Sequence, residues 1–279
     1  MTPRADLAVV VPWYEEKTDF LLDKYGPGPR VHYHTGLAPA AIAPSAERAV
    51  LRRQLYWSQE RMMWRCDQAW GALGDRVLDV GCGLGGGSIF WAERGAAVTA
   101  LTPVPTHLPW VRRLADEAEV GRQVEVVLGD AHELSRFVGF DAVVSMGASN
   151  YFDRALHFAA AAGTLRPGGR VLIEDTLLGR PELCAPFNDY WSANIGWLDE
   201  YDAAAAAAGF ERMSLHEVTT DAAGFWKLSV AWSEAMLAHD PLDDAGRARR
   251  HRSIDWQRRI FAAYLDGGFR NLLLEYRLR

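Results

Sequence analysis

The stretch Arg76-Val77-Leu78-Asp79-Val80-Gly81-Cys82-Gly83-Leu84-Gly85-Gly86-Gly87 decides how the rest of the chain is read. A short apolar run feeds a glycine turn, and a helical pattern through Phe90 and Trp91 follows. That order is the first unit of a parallel sheet, since glycine lets the backbone turn tightly and approach a ligand closely. Outward from it, strand-like runs at 97–101, 124–128, 141–145 and 170–175 alternate with helical stretches near 106–119 and 153–166. Two more strands are expected at Glu211–Val218 and around Leu272-Leu273-Leu274. The pattern predicts an α/β, doubly wound (Rossmann-like), mostly parallel seven-stranded sheet with inserted helices.

Upstream, a helix is expected from an N-cap at Ser45 to Trp70, stopped by Gly71 or Gly74. Residues 1–44, with Tyr14, Phe20 and the turn-rich Gly26-Pro27-Gly28-Pro29, read as a helical cap or lid over a domain at 45–279. Downstream, Asp202–Ala208 and roughly 226–238 read as helices, and Asp240–Arg252 as a polar connection. The last helix is expected to carry Ile254, Phe261 and Leu265 on one stripe.

Composition narrows the function. Among 279 residues, 49% are hydrophobic and 24% charged, enough apolar material for a core. A net charge of -6 argues against a nucleic-acid partner, which needs surplus Lys and Arg to neutralise phosphates. No apolar run is long enough to span a membrane, and Arg4 and Asp6 make a poor signal peptide. Cys66, Cys82 and Cys184 lack metal-ligand spacing and read as free thiols of a cytoplasmic protein.

Gly81, Gly83 and Gly86 also satisfy the dinucleotide pattern, so a nicotinamide oxidoreductase has to be weighed. That reading wants an acid at the end of the second strand to hold a ribose, and the chain has Leu101-Thr102 there. The acid stands instead at Asp79, where a carboxylate meets a ligand's ammonium. Asp130, after the third strand, is placed to accept from an adenine amino group.

Val77–Gly87, Gly129-Asp130-Ala131 and Leu165-Arg166-Pro167-Gly168-Gly169-Arg170 resemble successive motifs of class I S-adenosylmethionine (AdoMet)-dependent methyltransferases, over roughly 45–178. Tyr14–Leu37, containing Tyr25-Gly26 and His32-Tyr33-His34-Thr35-Gly36, resembles the N-terminal segment of cyclopropane synthases, sarcosine-type N-methyltransferases and geranyl diphosphate C-methyltransferases. Leu101-Thr102-Pro103 and Tyr264–Phe269 resemble further pieces of that group, and Asn194-Ile195 and Phe225–Leu228 resemble its prenyl diphosphate branch. The chain departs from the cyclopropane synthases at Met146-Gly147-Ala148, where they carry a glutamate, which disfavours a lipid substrate.

The resemblance implies AdoMet as cofactor, lined by Tyr25, Asp79, Gly81, Cys82, Gly83, Thr102, His107, Asp130, Ala131 and Met146. It implies a small-molecule acceptor against Tyr151, Trp191, Asn194 and Trp226, with Tyr33 and His34 closing over the methyl donor and His34 available as a base. Methylation of an alkene leaves a carbocation and a proton to remove. Glu174 is the expected base because Glu174 and Asp175 end the fifth strand on the sheet's ligand edge, although strand alternation lets only one of them face the site. The basic run Arg247, Arg249, Arg250, His251 and Arg252 reads as a solvated helix face, with diphosphate binding as the alternative. Magnesium enters only with a diphosphate substrate, and a homo-oligomer is left open. The expected activity is C-methylation of an isoprenoid or prenyl diphosphate. The alternatives are N- or O-methylation of another natural product and AdoMet binding without turnover.

Overall fold

The computed structural model describes residues 6–26 and 28–279, so Arg4 and Pro27 of the stretches above lie outside the described residues. Strands β1 (Arg76–Val80), β2 (Ala97–Thr102), β3 (Val124–Leu128), β4 (Phe140–Met146), β5 (Leu165–Leu178), β6 (Phe210–Glu217) and β7 (Phe269–Leu278) form one sheet in the order β3-β2-β1-β4-β5-β7-β6. β1 to β5 pair in parallel, and β7 runs antiparallel between β5 and β6. β4 is buried along its whole length, as a central parallel strand covered on both faces must be.

The helices are α1 (Leu7–Glu15), α2 (Thr18–Tyr25), α3 (Arg48–Trp70), α4 (Gly86–Ala92), α5 (His107–Glu117), α6 (Arg154–Thr164), α7 (Cys184–Trp191), α8 (Leu198–Ala207), α9 (Thr219–His239) and α10 (Asp244–Leu265). Side chains alternate across the sheet, so Val77 and Ala142 join a core with Leu55 of α3, Ile89 of α4 and Ile260 of α10. Leu78 and Val143 join the opposite core with Phe158 of α6 and Tyr201 of α8. Among the described residues no helix is long and apolar enough to cross a membrane.

Three local expectations are corrected. α3 starts at Arg48, because the Ser45 hydroxyl accepts from the Glu47 amide and closes a turn before the helix. It does end at Gly71, at φ 63°. α10 takes in most of the stretch expected as a connection: Asp243 caps it by accepting from the Gly246 amide at 2.6 Å, and its charged first turns obscured the period. Its buried stripe runs through Ile254, Gln257, Ile260 and Tyr264, while Leu265 is 53% exposed.

Strand order reverses between β1 and β4, which opens a crevice at the carboxyl ends of the strands. The cap crosses that crevice and is tied to α3 by Leu37 N donating to Ser58 O and by Gln59 Nε2 donating to the carbonyls of His32 and His34.

Candidate active site

Two cavities occupy the crevice and share a wall. The first, about 970 Å³ of empty space, is lined by the turn after β1, by Thr102 and His107, by Gly129–His132, and by Met146–Ala148, with Val31–His34 as its roof. Gly81 turns at φ 79° with its missing Cβ facing Ala148 at 2.6 Å, so a side chain there would collide. Gly83, at φ 55°, has nothing within 4 Å of its Cβ position, so its backbone faces open space. Behind the turn lies Asp79, 2% exposed, accepting from Ser88 Oγ at 2.5 Å. Burial raises its carboxyl to about 6, partly offset by the Ser88 bond. Among the described residues no cation pairs with this carboxylate, and a ligand cation would offset its desolvation.

At the other end Asp130 Oδ1 accepts from the His132 amide at 2.8 Å and lies 2.7 Å from its ring. Thr102 Oγ1 accepts from the Val104 amide at 3.2 Å, so this hydroxyl also holds its own turn. His107 is held neutral, its pKa pushed down to about 4 by burial.

The second cavity, about 2610 Å³ including its open mouth, meets the first at Tyr14, Tyr33, His34, Gly147 and Tyr151. Tyr14 donates to Tyr151 at 3.2 Å, and the Tyr14 and Tyr33 rings meet edge to face at 5.7 Å. Burial keeps all three phenols un-ionised, although the bond from Tyr14 works the other way at Tyr151. His34 Nδ1 lies 2.9 Å from the Thr35 carbonyl and carries the hydrogen, while Nε2 is buried without a partner. Burial, then neighbouring His32, lowers its pKa to about 3, so His34 is an acceptor for orientation and a poor proton base.

Beyond the junction the walls are aromatic, with Tyr25, Phe187, Trp191, Phe225 and Trp226. The mouth is cationic, with Lys17, Lys24, Arg249, Arg250, Arg252 and Arg259 facing Glu16, Asp189 and Asp255. Lys24 is 3% exposed, donates to Ser229 Oγ at 3.3 Å, and lies 4.8 Å from the Tyr25 ring centre. Burial, then Arg250 and Lys17, lowers it to about 7. Lys17 falls to about 7 through burial and Arg250, with Glu16 pulling the other way. The basic run is therefore part of a cavity wall at Arg249, Arg250 and Arg252, which departs from the solvated-face reading and leaves the anion-binding alternative open.

Three expected residues stand elsewhere. Glu174 lines neither cavity: it is fully buried on the α3 side of the sheet, accepts from Asn271 Nδ2 at 2.9 Å, and is raised to about 8 by burial and by Asp175. Alternation gives the cavity to Asp175 instead. Ser149 Oγ, Asn150 Nδ2 and the Thr176 amide donate to Asp175, each at 2.8 Å, and burial raises it to about 6 against those bonds. Tyr25 lines the second cavity and not the first. Asn194 lines neither, its amide donating to the Asn150 carbonyl and its own carbonyl accepting from Arg154. Sequence reasoning passed over Lys17 and Lys24 because nothing local distinguishes them from surface residues.

The first cavity fits AdoMet. An unpaired buried carboxylate suits the ammonium of an amino-acid tail, a turn open at Gly83 admits the chain, and Asp130–His132 gives the adenosine end polar partners. Among the described residues no group of three or more His, Cys, Asp or Glu side chains is placed to hold a metal.

Residues 77–169 match the family described as Methyltransferase domain. The ubiquinone biosynthesis O-methyltransferase of Aeromonas salmonicida (strain A449) is 35% identical over 114 residues, 40% of this chain and 48% of that protein, so the match spans about half of that relative's length. A geranyl diphosphate methyltransferase in complex with geranyl diphosphate and sinefungin superposes with a TM-score of 0.77 at 20% identity, covering 96% of this chain and 97% of that one. A cyclopropane synthase from Mycobacterium tuberculosis gives 0.75 at 18%, covering 99% of each chain. At such identities the superpositions establish the fold, which is Rossmann-like with N-terminal helices.

Proposed function

We propose that the chain, whose residues 77–169 match the family described as Methyltransferase domain, is a class I AdoMet-dependent enzyme that methylates a small amphiphile with an unsaturated apolar body and an anionic head, the best candidate being C-methylation of an isoprenoid diphosphate. The observation that carries this reading is the pairing of aromatic walls with a row of cations in one cavity, among them Lys24, a buried ammonium whose side-chain hydrogen bond goes to a hydroxyl and not to a carboxylate. Lys24 in particular has no carboxylate among its partners, so an anion entering beside it restores the charge that burial disfavours.

When bound, AdoMet supplies an electrophilic methyl whose bond electrons leave with the thioether sulfur. The chain does the remainder. Asp79 takes the cofactor's ammonium, and the Tyr14–Tyr33–Tyr151 junction excludes water between the two cavities, so orientation supplies much of the rate. The alkene π pair forms the new C–C bond, and the cationic carbon left behind is stabilised by faces such as Trp191 and Trp226. Its adjacent proton passes to Asp175, which lines the cavity and is mostly ionised at neutral pH. Loss of that proton restores the alkene.

The test is to incubate the protein with AdoMet and prenyl diphosphates, phenols and amines in parallel, following S-adenosylhomocysteine and the methylated product by mass spectrometry. Turnover of a prenyl diphosphate, abolished when its diphosphate is removed, supports the proposal. Turnover of uncharged acceptors alone favours N- or O-methylation, for which the bare Nε2 of His34 at the junction is an orienting acceptor.

A further inference from the structure

His32 occupies a position the mechanism above does not use. Its ring is 1% exposed, forms part of the first cavity's roof, and leaves Nδ1 buried without a partner among the described residues. Nε2 lies 3.0 Å from Oε1 of Glu60, a residue with no exposed surface, which also accepts from Arg30 Nε at 2.9 Å. Burial pushes the Glu60 carboxyl up, but His32 and Arg30 together hold it below the ordinary range, so it is an anion. An anion accepts, so the hydrogen sits on Nε2 and Nδ1 presents a lone pair.

That lone pair has a defined surrounding. A Cβ on Gly86 would lie 2.7 Å from His32 Nδ1, and one on Gly87 would lie 3.4 Å from Asp79 Oδ2. Two adjacent glycines thus separate two acceptors at the end of the cavity that fits the amino-acid tail. An ammonium carries three N–H donors, and Asp79 satisfies only part of them.

We propose that His32, with its tautomer set by Glu60, is a second recognition residue for the cofactor's amino group, Nδ1 accepting one N–H while Asp79 accepts another. The inference rests on the AdoMet reading. It explains why Gln59 clamps the carbonyls of His32 and His34: the clamp fixes the roof from which the ring hangs.

The experiment is calorimetric titration of wild type, His32→Leu, His32→Asn and Glu60→Gln with S-adenosylhomocysteine and with 5′-methylthioadenosine, which keeps the adenosine and thioether but lacks the amino-acid tail. His32→Leu is expected to weaken S-adenosylhomocysteine roughly tenfold, the scale of one hydrogen bond to a charged group. His32→Asn, whose amide oxygen stands close to the Nδ1 position, recovers most of that loss, Glu60→Gln loses a few-fold, and 5′-methylthioadenosine binds all four proteins alike. Equal losses for both ligands would make His32 a purely structural residue and overturn the inference, as would an unchanged S-adenosylhomocysteine affinity in His32→Leu. A wild type that binds no S-adenosylhomocysteine overturns the AdoMet reading along with it.

Discussion

The cofactor cleft and the acceptor cavity share five wall residues, yet they are built in opposite ways. The cleft is assembled from consecutive motifs at strand ends, is narrow, and holds an unpaired anion at Asp79. The second cavity is assembled from α1, α2, α7, α9 and α10, is nearly three times larger in empty volume, and is lined by cations that include Lys17 and Lys24. The fold supplies the first through its switch point, whereas the second is what the cap and the inserted helices add to it. On the proposed reading, cofactor identity belongs to the sheet, and acceptor identity to the helices around it.

The largest effect that would break this contrast is expected at Asp79. Asp79→Asn should weaken S-adenosylhomocysteine by about a hundredfold, as removal of one partner of a buried charged pair does. The pH dependence has a fixed sign. With Asp79 near 6 in the free protein and the ionised form needed to meet an ammonium, wild-type affinity falls as pH drops below about 6, and Asp79→Asn loses that slope. Calorimetry between pH 5 and pH 8 checks both.

Next in size, Asp175→Asn should lower turnover by about a hundredfold while S-adenosylhomocysteine affinity stays unchanged, because a proton acceptor on the acceptor side acts in the chemical step. Retained turnover would remove Asp175 from the mechanism. A smaller effect is expected at the mouth. Lys24→Met should weaken inorganic pyrophosphate, read as competition with the acceptor, by about tenfold. Here the sign reverses: Lys17 and Lys24, near 7 when free, must be protonated to hold an anion, so wild-type affinity falls as pH rises through 7. A loss on the acid side instead would contradict the assignment.

The smallest effect on activity is expected at Glu174, where Glu174→Gln should leave turnover within about twofold, since the side chain is outside both cavities. Its effect on stability is separate. A carboxyl raised to about 8 in the fold contributes stability at low pH that is lost as pH rises through 8. The glutamine variant, which cannot ionise, should melt at higher temperature than wild type at pH 8 by a few degrees, and differ less at pH 5.

The same contrast explains what the sequence disclosed. The whole sheet was legible, because period-two and continuous apolar runs such as Val77–Val80 and Val124–Leu128 fall between glycine turns. So was much of the first cavity's lining, since Asp79, Gly83, Thr102, Asp130 and Met146 each sit within a few residues of a strand end. The acceptor cavity was not, because Lys24 and Arg250 come together only through packing between α2 and α10, more than two hundred residues apart. Glu174 and Asp175 show the remaining limit. Both lie at the right strand end, and which one faces the cavity follows from the register of β5 against β4 and β7, which local pattern leaves undetermined.

The most direct test of the central claim is a crystal structure with S-adenosylhomocysteine bound. The account predicts the amino group against Asp79, the adenine beside Asp130 and Ala131, and the sulfur pointing at the Tyr14–Tyr33–Tyr151 junction with the aromatic cavity open beyond it. A ligand seated outside the glycine turn, or a sulfur directed away from that junction, would contradict it.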